Sequence, residues 1–150
     1  MKKILALLFL SLVMSISSIA SEMSNSREVF TIAYTIYAES RGESDYGMCL
    51  VASVIYNRSV EKCTTASAVC LQRKQFSCWN AGMQVYPIIK NEVDQSGWSF
   101  ANLLARDIMN GDFKPFCSSN HYYNPSKCSP SWGPLMKESF TFKNHRFGRL

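Results

Sequence analysis

A mainly helical α+β fold with a small amount of sheet follows from three features of this 150-residue chain. Apolar residues recur at helical spacing through the first half and again near residue 100. Between residues 112 and 134 four prolines, Pro115, Pro125, Pro130 and Pro134, interrupt an aromatic-rich stretch and leave no room for a long helix. Near the end, Phe140 and Phe142 alternate with polar residues, the period of a strand.

The chain begins with Lys2 and Lys3, then an apolar run from Ile4 to Met14 broken only by Ser11. Small polar residues follow, ending in Ser18-Ile19-Ala20. A basic start, an apolar middle and a small-x-small end form an export signal. Its apolar part is shorter than the ~20 residues that span a bilayer. Residues 1–20 are therefore expected to be a signal peptide cut after Ala20, leaving a single domain over residues 21–150. The mature chain is expected to be periplasmic or extracellular, monomeric and without a membrane span. Losing Lys2 and Lys3 lowers the formal charge from +5 to +3. That residual charge suits an anionic polymer weakly, and no basic run or stripe argues for nucleic acid.

Asn25 and Glu28 have capping-box spacing. Val29, Ile32, Ala33, Ile36 and Tyr37 then predict a first helix to about Ser40, stopped before Gly42. A second helix should start at Ser44, carry the apolar face Met48, Val51, Ala52, Ile55 and Tyr56, and end near Arg58. Thr65 to Leu71 reads as a short helix and Gln75 to Trp79 as extended chain. Another helix is expected from Pro87 to Gln95. A further one should run from an N-cap at Ser99 to Asn110-Gly111, with Phe100, Leu103, Leu104 and Ile108 facing inward.

Six cysteines, Cys49, Cys63, Cys70, Cys78, Cys117 and Cys128, all follow the leader. An even number in a short exported chain reads as three disulfides. Spacing leaves the connectivity open; the local pairs Cys63–Cys70 and Cys117–Cys128, with Cys49–Cys78 remaining, are the leading choice. No metal site and no cofactor are expected: there is no C-x-x-C, and His121 and His145 lack ligand spacing.

The chemistry concentrates in Tyr37-Ala38-Glu39-Ser40-Arg41-Gly42-Glu43. Glu39 closes a predicted helix, where the dipole disfavours a carboxylate, and apolar neighbours would add desolvation. Glu43 and Asp45 precede or open the next helix, where the dipole favours one. Arg41 could pair with either glutamate. Acids driven in opposite directions make an acid–base pair. The same pattern also fits a solvated helix-to-helix turn.

This heptapeptide is the first of six segments, in order, through which the chain resembles the spore-cortex-lytic (SleB-like) cell-wall hydrolase family. The others are an apolar helix closing in Asn57-Arg58, then Gln75-Phe76-Ser77, His121-Tyr122-Tyr123-Asn124, Pro130-Ser131-Trp132 and Asn144-His145-Arg146-Phe147. They span nearly all of the mature chain. The cysteines and the Cys117–Cys128 loop depart from the family pattern, as does Phe142-Lys143 before Asn144. The resemblance implies a lysozyme-like domain acting on peptidoglycan glycan strands. It further implies that the bond cut is the MurNAc–GlcNAc linkage, with Glu39 as the single catalytic residue of a lytic transglycosylase, first acid and then, ionised, acceptor of the muramoyl 6-hydroxyl proton. Glu43, or Asp45, is the second carboxylate that a hydrolytic muramidase would need. A disulfide-stapled wall-binding module without activity is the third reading. Gln75, Phe76, Tyr122, Tyr123 and Arg58 are the candidate substrate contacts, with Asn57-Arg58 alternatively bracing the Glu39 loop. His121 and His145 read as structural, and Trp79, Trp98 and Trp132 as core or rim.

Overall fold

The computed structural model describes residues 2–80 and 95–150, with side chains from residue 18 onward. Helix α1 (Lys2–Glu39) runs straight through the leader and the predicted first helix. Asn25 is thus an interior helical residue, not a cap. Glu28 accepts from the Ser67 hydroxyl at 2.7 Å instead of closing a capping box. The serines and Asn25, poor formers of isolated helix, are carried by the apolar turns on either side.

Helix α2 (Asp45–Glu61), α3 (Ala66–Cys70), a 3₁₀ turn (Ser77–Trp79) and α4 (Gln95–Asn110) pack around the second half of α1. Every residue from Thr31 to Tyr37 is therefore buried. A helix enclosed on all sides must satisfy its polar side chains internally. Thr31 and Thr35 do so by donating to the carbonyls of Arg27 and Thr31, at 2.9 and 2.8 Å. Thr35 also accepts the indole N–H of Trp79 at 2.8 Å.

The Thr65 hydroxyl caps α3 by accepting from the Ala68 N–H at 3.1 Å. The segment expected as extended, Gln75–Trp79, instead closes as the 3₁₀ turn. The predicted helix Pro87–Gln95 lies outside the described residues up to its last position. Ser99 sits inside α4 rather than capping it. The α4 core face is Ala101, Leu104 and Ala105; Leu103 is exposed. Phe100 and Ile108 pack against that core from its edge. Gly111, at φ +80°, ends α4, and Gly42, at φ +79°, ends the turn after α1, both as expected.

Three short strands complete the domain: β1 (His121–Tyr123), β2 (Lys137–Phe142) and β3 (His145–Arg149). The antiparallel sheet has the order β1-β3-β2, so β3, which follows the strand expected to be last, is its centre. Tyr122 and Phe140 both pair with Phe147. Phe147 is buried against Leu50 and Val54 of α2, fastening the sheet to the helical core.

Candidate active site

The last residue of α1, Glu39, meets the 3₁₀ turn on one side and β1 on the other. Its Oε1 accepts from the Ser77 hydroxyl at 2.8 Å and from the Cys78 backbone N–H at 3.0 Å. Its Oε2 accepts from the Tyr122 hydroxyl at 2.9 Å. The sequence led us to expect apolar neighbours around this carboxyl; it meets three hydrogen-bond donors instead. Burial, reinforced by the Glu39 charge, holds the Tyr122 phenol well above its ordinary range, so it remains a donor at any working pH.

Glu43 folds back over the first turn of α2. Its Oε1 lies 3.2 Å from His145 Nδ1, and its side chain is only 6% exposed. Its Oε2 is buried without a hydrogen-bond partner. Gly47 makes this position possible: a Cβ there would lie 2.6 Å from Glu43 Cβ. The His145 ring packs edge-on against Tyr122, with centroids 5.5 Å apart. His145, read from sequence as structural, therefore sits at the site. Asp45 is exposed on α2 and does not line the cleft.

Glu39, Glu43 and His145 open onto a cleft of about 640 Å³. Gln75, Asn80, Asn124 and Asn144 supply amides to its walls, and Lys74 and Lys127 supply cations. Tyr122, Tyr123 and Trp132 supply aromatic surface. Trp132 stands edge-on to Tyr123 at 5.5 Å and to His121 at 5.2 Å. Aromatic faces with convergent amides suit a sugar chain. A larger hollow of about 890 Å³, between residues 19–30 of α1 and the end of α4, has no such convergence of donors on an acid.

Two candidate contacts lie elsewhere. Phe76 is buried, and the Arg58 guanidinium stacks 5.4 Å over its ring. Arg58 is itself buried, which lowers its pKa, and its Nε donates to the Asn120 carbonyl. Asn57 donates to the carbonyls of Cys117 and Ser119 at 2.9 and 2.8 Å. The Asn-Arg pair thus braces residues 117–120, which lead into β1 and Tyr122, not the Glu39 loop. His121 is structural as expected. Its Nδ1 lies 2.9 Å from Asn120 Oδ1, and burial, followed by the Arg58 charge, pushes it down to about 4.

The structure holds the six cysteines unpaired and so does not show the expected pairs Cys63–Cys70, Cys117–Cys128 and Cys49–Cys78. Cys63 and Cys128 are exposed, whereas their intended partners turn inward. Cys70 is fully buried, and Cys117 packs beside Leu50, Val54 and Phe147. Burial pushes the Cys70 thiol up to about 12. Burial, then the Glu39 charge, raises Cys78 as well. Cys49 is raised by burial, then by Asp45.

Sequence reasoning found Glu39, Glu43, Gln75, Tyr122 and Tyr123 in the cleft. It missed Ser77 and Cys78 as partners of Glu39, although Ser77 stood inside a quoted segment. It also missed Gly47, whose only signal is a glycine where a helix would accept any residue.

No curated protein matches the chain. Among solved structures, it is similar to the catalytic domain of the SleB protein of Bacillus cereus, at 25% identity and a TM-score of 0.62, over 83% of this chain and 91% of that one. It is also similar to the catalytic domain of the germination-specific lytic transglycosylase SleB of Bacillus anthracis, at 23% identity and a TM-score of 0.59, over 81% and 93%. These likenesses bear out the lysozyme-like, mainly helical fold with its small sheet. The family model described as Cell Wall Hydrolase matches residues 42–148, from just past Glu39 to the penultimate residue of β3. By that match the chain belongs to the Cell Wall Hydrolase family.

Proposed function

We propose that this chain cleaves the glycan strands of peptidoglycan at the MurNAc–GlcNAc bond as a lytic transglycosylase, with Glu39 as the acid. The observation that carries the reading is the carboxyl of Glu39, held by three donors in a cleft walled by aromatics and amides. Protonated Glu39 gives its proton to the glycosidic oxygen, and positive charge develops at the anomeric carbon. The muramoyl 6-hydroxyl then attacks that carbon, and Glu39, now ionised, takes its proton. An anhydro end forms without water. Gln75, Tyr122 and Tyr123 are the substrate contacts in this reading.

The similarity to the SleB catalytic domains supports the reaction class. A hydrolytic muramidase is the second reading, favoured by a second carboxylate, Glu43, at the same cleft. Products separate the two. Digestion of purified peptidoglycan should release fragments with anhydro ends; reducing ends would favour hydrolysis. The Glu39→Gln variant should stay folded and bind glycan, yet lose at least about 10²–10⁴-fold in rate. Near-normal digestion by that variant would sink the assignment, and absence of fragments from the wild type would favour a binding module.

In the same reading the chain is exported and loses residues 1–20. Among the described residues, no helix is long and apolar enough to cross a membrane. A cut after Ala20 would leave the turns of α1 that form the core intact. Mass spectrometry of the protein recovered from its producing cell tests this directly.

A further inference from the structure

We propose that Lys74 and Lys127 form a carboxylate-binding rim on the cleft, and that the enzyme thereby selects glycan whose muramoyl residues carry an anionic substituent. That substituent is the lactyl carboxyl itself or a carboxyl of the peptide attached to it. This assignment rests on the glycan-cleaving reading above and adds the substrate feature that the cleft selects.

The cleft holds more cations than its own acids use. Glu39 is met by the Ser77 hydroxyl, the Cys78 N–H and the Tyr122 hydroxyl, and Glu43 Oε1 by His145. Among the described residues the ion pairs are His145–Glu43 and Arg149–Glu61, and neither involves a lysine. Lys74 and Lys127 both line the cleft, both are exposed, and neither ammonium has a partner among the described residues. Arg41 lines the cleft too but is already engaged. The backbone of N-acetylated sugars is itself uncharged. Two unpartnered ammonium groups beside it suit a negative group hung from the sugar ring, and in peptidoglycan the muramoyl lactyl ether is where such groups hang.

The backbone at both lysines is fixed without help from their side chains. Lys74 has φ +63°, a left-handed conformation that lysine seldom takes and that glycine or asparagine would adopt with less strain. The turn around it is closed by the Gln75 N–H, which donates to the Gln72 carbonyl at 3.1 Å. The same segment runs on into Ser77 and Cys78, the donors on Glu39 Oε1. Lys127 follows β1 in a turn built on Asn124. The Asn124 carbonyl accepts the N–H groups of Lys127 and Cys128, at 3.0 Å each, and its Oδ1 accepts the Ser126 N–H at 2.9 Å. The two loops that flank Glu39 thus each present one lysine to the cleft. Lys127 falls within the stretch from Cys117 to Cys128 that departs from the family pattern.

Exposed charge pairs act modestly. One ammonium within reach of a carboxylate at such a site contributes about 2–5-fold in affinity, so the two lysines together supply roughly 4–25-fold. The effect falls on binding of the strand and not on the proton transfers of Glu39, and it weakens as salt is raised.

The test uses three forms of glycan strand: with peptides intact, stripped by an amidase so that the lactyl carboxyl is free, and stripped with that carboxyl then converted to its neutral methylamide. Wild-type KM should rise about 4–25-fold from the charged strands to the neutral one, with kcat little changed. A rise on stripping assigns the peptide carboxyls, and a rise on neutralising assigns the lactyl one; either supports the proposal. The double variant Lys74→Gln with Lys127→Gln, at an unchanged melting temperature, should show the raised KM on charged strands and no further rise on the neutral one. Equal wild-type KM on all three strands overturns the proposal. So does a double variant whose KM on charged strands stays at the wild-type value, or rises equally on the neutral strand. Failure of the parent reading would look different: wild-type protein would release no fragments from any strand, and calorimetric binding of the three strands would then decide the charge preference by the same comparison.

Discussion

Replacing Gly47 with alanine should weaken both the fold and the site, although alanine is the better helix former. At an open mid-helix position the exchange would gain up to about 1 kcal/mol. Residue 47 is the third residue of α2, where less of that gain applies. Against it stands a contact of 2.6 Å between the new Cβ and Glu43 Cβ. That atom is anchored to the backbone and cannot swing aside as a side-chain tip could. Overpacking of this kind costs about 1–3 kcal/mol. The clash should win by about 1 kcal/mol, which for a domain of this size lowers the melting temperature by roughly 3–5 °C. The chain can relieve the contact by moving Glu43, which lines the cleft beside His145, so wall digestion should slow as well. Thermal unfolding and initial digestion rates on the same preparation provide the measurement. A variant that melts higher than wild type and digests at the wild-type rate would refute the argument that Gly47 seats Glu43.

Other substitutions test neighbouring parts of the argument. Gly111→Ala serves as a contrast: nothing lies within 4 Å of its Cβ position, and only the φ of +80° opposes it. It should cost about 1–2 kcal/mol of stability and leave the specific activity unchanged. Tyr122→Phe keeps the ring stacked on Phe147 at 5.3 Å but removes a hydrogen bond to a carboxylate. Losing about 1.5–3 kcal/mol at that point should slow digestion roughly 10–100-fold with little change in melting temperature. Arg58→Met should destabilise the fold by about 1–3 kcal/mol, because the Asn120 carbonyl loses its donor. KM for peptidoglycan should not move; a large rise would return Arg58 to the substrate contacts. Under native conditions a thiol reagent should modify Cys63 and Cys128 quickly and leave Cys70 and Cys78 unreacted until the protein unfolds. Burial keeps the latter two as thiols, and the thiolate is the reacting form. No reactive thiol even after unfolding would mean that the cysteines pair in the mature protein.

What could be read from sequence was whatever a local pattern encodes. Glu39 stands out because a helix stop, Gly42, follows it within the same seven residues. Tyr122 stands out through its segment. The partners of Glu39 were harder to see, because Ser77 and Cys78 lie on a 3₁₀ turn too short to have a period. The relation between Glu43 and His145 spans 102 residues, and nothing local at either end announces it. Thr31 and Thr35 look like a polar face, yet they are buried, each satisfied by a carbonyl one turn back. The α4 stripe was legible in all but one residue. Leu104 is buried and Phe100 and Ile108 pack against the core as expected, but Leu103 is exposed, and Ala101 and Ala105 complete the inward face.

The two oxygens of Glu39 are not equivalent, and this decides where its proton can reside. Oε1 accepts a backbone N–H from Cys78, a donor with no acceptor lone pair to offer in return. A proton on Oε1 would face that N–H at 3.0 Å, so the acid form disfavours it there. Oε2 faces the Tyr122 hydroxyl, which stays protonated and can rotate to accept once the carboxyl carries the proton. The proton therefore belongs on Oε2. That assignment makes the 3₁₀ turn the fixed side of the acid and β1 its adjustable side. Because β1 is held at Asn120 by Arg58 and at Tyr122 by Phe147, the position of the proton depends on the sheet's attachment to α2. A substitution that loosens that attachment without touching the cleft, such as Phe147→Leu, should slow proton donation before it affects glycan binding. Its kcat should fall by more than its KM rises; the reverse order would show that the sheet serves binding rather than the acid.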